Sequence, residues 1–269
     1  MKIGIALCGG GARGWAHIGI LKALEERGIV FDYISGASAG SIVGALYASG
    51  ISPKNMLEIA EETSLFDIFR LGVSFNILGG GGFTQLTLLD KIIKKYVPEN
   101  NFASLSKQLY IAVSNLKKGT AEIINEGNLS EVVMASSAIP LIFQPIAINE
   151  DLYVDGGLIN NLPIAPLQKA NIPFIGVNVN PHGYSSDLDN IFEIGQRCFD
   201  LILWNNTAPS LHQCPVIIEP EEVFQFSLFD FNKAEEIFDI GYRHTMNNMD
   251  RILAQLEKAG YTLPSPSVD

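Results

Sequence analysis

Residues 33–50, YISGASAGSIVGALYASG, run from an apolar segment into a helical pattern through a corner of small residues. Gly36, Ser38 and Gly40 form G-x-S-x-G at that corner. A strand that becomes a helix this abruptly has no room for a hairpin and must find a parallel neighbour by crossover. The same grammar stands just upstream. Residues 2–8, KIGIALC, read as a compact buried strand ending in glycines. The stretch WAHIGILKALEERG follows, with Trp15, Ile18, Leu21 and Leu24 at roughly helical spacing and Gly28 as a C-terminal cap. The second helix is expected over Ser41 to Ser49, capped by Gly50, with Pro53 beyond. A β-α-β-α start with short connections predicts an α/β fold, a mostly parallel central sheet flanked by helices.

Later segments fill in the sheet. LYIAVSNLKKGTAEIIN reads as a hairpin turning at Lys118–Gly119, and PIAINEDLYVDGG as a second one ending at Asp155-Gly156-Gly157. NIPFIGVNVN and CPVIIE read as core strands, and residues 232–259 as one long closing helix. Four consecutive glycines follow an apolar stretch in GVSFNILGGGGF, which predicts a flexible cap or flap around residues 70–84. With no linker, repeat or low-complexity block, residues 1–269 are expected to form one domain.

Composition narrows the function classes. Hydrophobic residues make up 47% and charged residues 17%, as in a globular chain. A net charge of −11 argues against a nucleic-acid partner and against electrostatic docking on anionic lipid. Any peripheral membrane contact must therefore be apolar. Cys8, Cys198 and Cys214 have no zinc-like spacing, which predicts reduced thiols, no metal site and an intracellular, cytoplasmic setting. The start is too short in apolar residues and too rich in glycine for a signal peptide, and no run approaches a membrane span.

Two glycine-rich corners and one aspartate carry the chemistry. In CGGGARG, Gly9, Gly11 and Gly14 fit G-x-G-x-x-G. A dinucleotide site also needs an acid at the end of the second strand, and a Walker loop needs a lysine before Ser or Thr. Both are missing, so no nucleotide cofactor is expected. Such a loop can instead converge backbone N–H groups on a negative charge, including one that exists only in a transition state. Arg13, a cation in the first helical turn, opposes the helix dipole and suits an anion or a buried partner. At the second corner, Ser38 reads either as a nucleophile held strained and exposed, with small neighbours to relieve crowding, or as an idle serine in a tight strand-to-helix turn.

A nucleophilic serine needs a base. His17 and His244 fall in helical stretches, whereas His182 and His212 lie in loop-like segments and remain open as partners in a Ser-His-Asp arrangement. Asp155 ends a strand-like run and is followed by Gly156 and Gly157. Functional groups of parallel α/β sheets gather at such strand ends.

Taken in order, CGGGARG, GASAG and DGG, each at a strand end, make the chain resemble the patatin-like phospholipase family. ASSAIPLIFQPI (135–146) and DGGLINNLPI extend the likeness, whereas Cys8 and Leu141 stand where family members often have an acid or serine and a glycine. The resemblance implies a three-layer sandwich and hydrolysis of lipid acyl esters by a Ser38–Asp155 dyad without metal or organic cofactor. It implies an oxyanion hole at Gly9, Gly10, Gly11 and Arg13, with Gly14, Gly36, Gly40, Gly156 and Gly157 shaping the corners. An α/β-hydrolase triad, an acyltransferase on the same scaffold and a non-catalytic lipid-binding regulator remain as alternatives.

Overall fold

The computed structural model describes residues 1–62, 83–185 and 188–263. Strand β1 (Gly4–Leu7) leads through a 3-10 turn at Gly11–Gly14 into helix α1 (Trp15–Glu25). Strand β2 (Tyr33–Ala37) enters α2 (Ala39–Ala48), and α3 (Pro53–Glu62) follows. Helix α4 (Phe83–Tyr96) precedes the β3 (Gln108–Asn115) and β4 (Thr120–Ile124) hairpin, then α5 (Leu129–Ser136). A second hairpin joins β5 (Ile146–Ile148) to β6 (Asp151–Asp155). The chain continues through α6 (Ala165–Lys169), β7 (Phe174–Val177), α7 (Ile191–Leu211), β8 (Val216–Ile218), α8 (Ala234–Asn247) and α9 (Met249–Lys258).

The eight strands among the described residues form one mixed sheet flanked by helices, in the order β5-β6-β3-β2-β1-β7-β8 with β4 also on β3. The run β3-β2-β1-β7-β8 is parallel; β4, β6 and β5 are antiparallel additions. β1, at the middle, is fully buried, as a strand covered on both faces must be. α1 is buried along most of its length because α8 packs across its outer side. Gly241 of α8 makes that approach possible: a Cβ there would lie 2.3 Å from the Ala16 carbonyl oxygen.

Both hairpins and the later strands fall where the pattern put them, and Gly119 takes the left-handed φ of 67° that its turn requires. Two expectations shift. α2 begins at Ala39, two residues early, because the chain coils directly after Ser38. The closing helix is two helices, broken at Asn248, whose side-chain amide donates to the His244 carbonyl at 2.8 Å. An asparagine that serves its own i−4 carbonyl competes with helix propagation. The expected flap around 70–84 falls on residues 70–82, outside the described residues, with Phe83 already opening α4.

Candidate active site

The corner after β2 is built from close approaches. Ser38 has φ 49° and ψ −123°, a left-handed backbone that non-glycine residues seldom adopt and that costs about 1–3 kcal/mol. Neighbours hold it there. The Ser38 N–H donates to Ser136 Oγ at 2.9 Å, and Ser136 Oγ donates to the Ala112 carbonyl at 2.8 Å. The Ser38 carbonyl accepts from Ser41 Oγ at 2.7 Å and from the Ser41 N–H at 2.8 Å. Added Cβ atoms at Gly14, Gly36, Gly40 and Gly156 would come within 2.1–2.6 Å of neighbouring atoms. Those glycines let β1, the elbow and the β6 terminus meet.

Strand register delivers the aspartate. Ala37, the last residue of β2, pairs with Ala112 of β3. The next β3 residue, Val113, pairs with Asp155. β4 occupies the far edge of β3 along this stretch, so β6 takes over the edge that β2 vacates when it turns at Ser38. Asp155 thus arrives beside the serine by pairing geometry. Ser38 Oγ donates to Asp155 Oδ2 at 2.6 Å, and the Gly157 N–H donates to Oδ1 at 2.8 Å. Asp155 is 1% exposed. Burial raises its pKa from 3.8 to about 7, against the opposing effect of the hydrogen bonds from Ser38 and Gly157.

The glycine loop lies alongside. A Cβ on Gly9 would sit 2.9 Å from Ser38 Cβ, and Gly11, with φ 54°, holds its α-carbon against the Leu228 carbonyl. The four oxyanion-hole positions suggested by resemblance separate here. The N–H groups of Gly10 and Gly11 have no partner among the described residues. The Gly9 N–H is taken: it donates to Asn161 Oδ1 at 3.0 Å, while Asn161 Nδ2 donates to Thr207 Oγ1 at 2.8 Å. Arg13 is taken as well. Its Nε donates to the Phe226 carbonyl at 2.8 Å and its guanidinium pairs with Asp200 at 2.9 Å, so it answers a buried partner and braces the loop from behind. Gly9 and Arg13 are supports of the loop rather than its free donors.

Of the histidines, His17 is fully buried with Nε2 on the Cys8 carbonyl at 2.8 Å, its pKa lowered to about 4 by burial. His182 is exposed and packs its ring at a tilt against Trp204, and His212 is exposed just after α7. The Ser38 hydroxyl is engaged by Asp155 instead. Among the described residues, no group of three or more His, Cys, Asp or Glu side chains is gathered as a metal would need.

A small apolar cavity of about 60 Å³ opens at the serine, lined by Ser38, Gly11, Trp15, Ile42, Leu46 and Met56 among others. A larger apolar groove of about 540 Å³ has neither Ser38 nor Asp155 in its walls. It borders the site through Leu158 and Leu228 and has exposed Leu141 at its rim. Leu141 takes φ 68°, the conformation that makes glycine the easier residue there.

Ser136, Asn161 and Asp200 support the site without having been singled out in the sequence. Asn161 lies in the quoted DGGLINN segment. Asp200 sits within a helix far along the chain, with no local signature.

A serine on a strand-to-helix corner, a buried carboxylate on its hydroxyl and unpaired backbone donors beside it are the parts of an α/β serine hydrolase. A family model described as Patatin-like phospholipase matches residues 5–167, and the chain belongs to that family. Lysophospholipase NTE1 of Coccidioides immitis is 26% identical over 286 residues, which covers 93% of this chain and 18% of that protein. An uncharacterised NTE-family protein of Mycobacterium tuberculosis is 26% identical over 270 residues, covering 89% of this chain and 45% of its own length. The chain therefore spans less than half the length of these curated relatives. Among solved structures, VipD from Legionella pneumophila shares the fold, with a TM-score of 0.56 at 16% identity over 93% of this chain and 67% of that one. The ExoU–SpcU complex of Pseudomonas aeruginosa does so at 0.52 and 17%, over 96% of this chain and 52% of that one. No helix among the described residues is long and apolar enough to cross a membrane.

Proposed function

We propose that this chain is a serine lipid acyl hydrolase that cleaves carboxylic esters of phospholipids or lysophospholipids through a Ser38–Asp155 dyad. The carrying observation is the 2.6 Å hydrogen bond from Ser38 Oγ to a buried carboxylate whose pKa is raised to about 7. An ordinary carboxylate is a feeble base. One held near neutral accepts the serine proton with much smaller loss of driving force and is still ionised in part at pH 7. Ser38 Oγ attacks the ester carbonyl as its proton passes to Asp155 Oδ2. The N–H groups of Gly10 and Gly11 receive the developing oxyanion. Asp155 returns the proton to the leaving alcohol, then takes one from a water that attacks the acyl-enzyme, and hands it to Ser38 Oγ as the ester bond to the serine breaks and the fatty acid leaves. The Coccidioides immitis relative is named a lysophospholipase, and the apolar cavity at Ser38 suits an acyl chain.

Four substitutions test the dyad. Ser38→Ala should fold and lose ester hydrolysis. Asp155→Asn should lose several orders of magnitude in kcat, as loss of a nucleophile's base does. His182→Ala and His212→Ala, singly and together, should retain most of the activity. A dead histidine variant with an active Asp155→Asn would restore the triad.

A further inference from the structure

We infer that Asn180 is a positioning residue that sets the peptide plane between Gly9 and Gly10, aiming the Gly10 N–H at the oxyanion; the inference rests on the hydrolase reading above. Asn180 lies beyond the carboxyl end of β7, next to β1 in the sheet, so its side chain reaches the loop that follows β1. Its Nδ2 donates to the Gly9 carbonyl, and its Oδ1 accepts from Arg13 at 3.4 Å. A guanidinium on one side and a carbonyl on the other leave the amide only one consistent orientation. The main chain beneath it is anchored as well: the Asn180 backbone N–H donates to Asn178 Oδ1 at 3.0 Å.

The consequence follows from peptide geometry. The Gly9 C=O and the Gly10 N–H belong to one trans peptide unit and point in opposite directions. Holding the carbonyl on Asn180 turns the N–H away from Asn180. Asn161 meanwhile draws the Gly9 N–H to its own Oδ1 at 3.0 Å. With both polar groups of Gly9 claimed, the Gly10 N–H is the next donor along the loop, and it is unpaired among the described residues. The space behind is closed, since a Cβ on Gly10 would meet Val179 Cγ2 at 2.8 Å and Asn180 Oδ1 at 3.1 Å. Arg13 and Asp200 complete the brace, so a chain of side chains from α7 ends on the plane of one peptide.

Two substitutions carry the test. Asn180→Leu keeps the branched outline and removes the donor and acceptor, and Asn180→Ser shortens the reach. Wild type and both variants are assayed on p-nitrophenyl butyrate and its thionoester counterpart, alongside thermal melting and fluorophosphonate labelling of Ser38. The expected result is a folded variant whose kcat falls about 10²-fold with KM changed less than about threefold. The oxo-to-thiono rate ratio should collapse with it, because that ratio reads the hydrogen bond to the carbonyl oxygen and ignores a merely structural defect. Retention of kcat within about threefold by both variants overturns the inference, as does a lower kcat with an unchanged oxo-to-thiono ratio. A wild type inert to both esters and to the fluorophosphonate overturns the hydrolase reading itself and the inference with it.

Discussion

At the scale of residues, the proposed dyad makes the state of Asp155 decisive for chemistry as well as stability. Its folded pKa of about 7 lies above the 3.8 of an ordinary aspartate, with burial the main cause. The base form is the ionised one, so kcat/KM should rise with pH and level off above about 7; a flat profile between pH 5 and 8 would remove Asp155 as the base. Stability runs the other way. The folded state holds this proton up to about pH 7 and the unfolded state gives it up near 3.8, so the contribution of Asp155 is greatest below the lower value. It declines as pH rises through the higher one. Asp155→Asn removes the buried ionisation. Its melting temperature should exceed that of wild type at pH 8 and approach it at pH 5, at about 2–4 °C per kcal/mol for a chain of this size. The placement of Ser38 and Asp155 at strand ends was legible in the sequence because each lies in a glycine-flanked signature after an apolar run. Their contact was not, since it depends on β6 replacing β2 along β3 at Val113.

Elements join the site through pairs distant in sequence, where the sequence was least informative. Arg13 in the turn before α1 was readable as a residue in need of an anion; that Asp200 of α7 supplies it follows only from the packing. Both side chains are buried, 3% and 10% exposed, so the charge left behind by removing one has little water to meet. Asp200→Leu should destabilise the fold by about 3–5 kcal/mol and disturb the glycine loop. Adding Arg13→Leu should recover part of that stability, because the orphaned cation goes with it. A double-mutant cycle in urea measures the coupling, and strict additivity would reduce the pair to packing alone. The split at Asn248 belongs to the same scale. Apolar periodicity carried on through residues 232–259, and the break came from one asparagine's hydrogen bond to its own helix.

For the whole molecule, the parallel strands place β1, β2 and β7 with their carboxyl ends together, and the loops there bring Gly10, Ser38 and Asn180 to one edge. Two apolar hollows lie near that edge, and of the two the smaller has Ser38 in its wall. On the proposed chemistry a reacting ester carbonyl sits at Ser38 Oγ, so the acyl chain should enter the hollow between α1, α2 and α3, past Trp15, Ile42, Leu46 and Met56. Each methylene buried there is worth about 0.8 kcal/mol, or about fourfold in kcat/KM, until the hollow is filled. A series of p-nitrophenyl esters from acetate upward should show that climb. Ile42→Trp narrows the hollow and should flatten the climb at shorter chains while leaving acetate within about threefold. Ile202→Trp, in the wall of the larger groove, should leave the profile in place. If the profile shifts with Ile202→Trp and not with Ile42→Trp, the acyl chain lies in the larger groove, and Ser38 must receive its ester from that side.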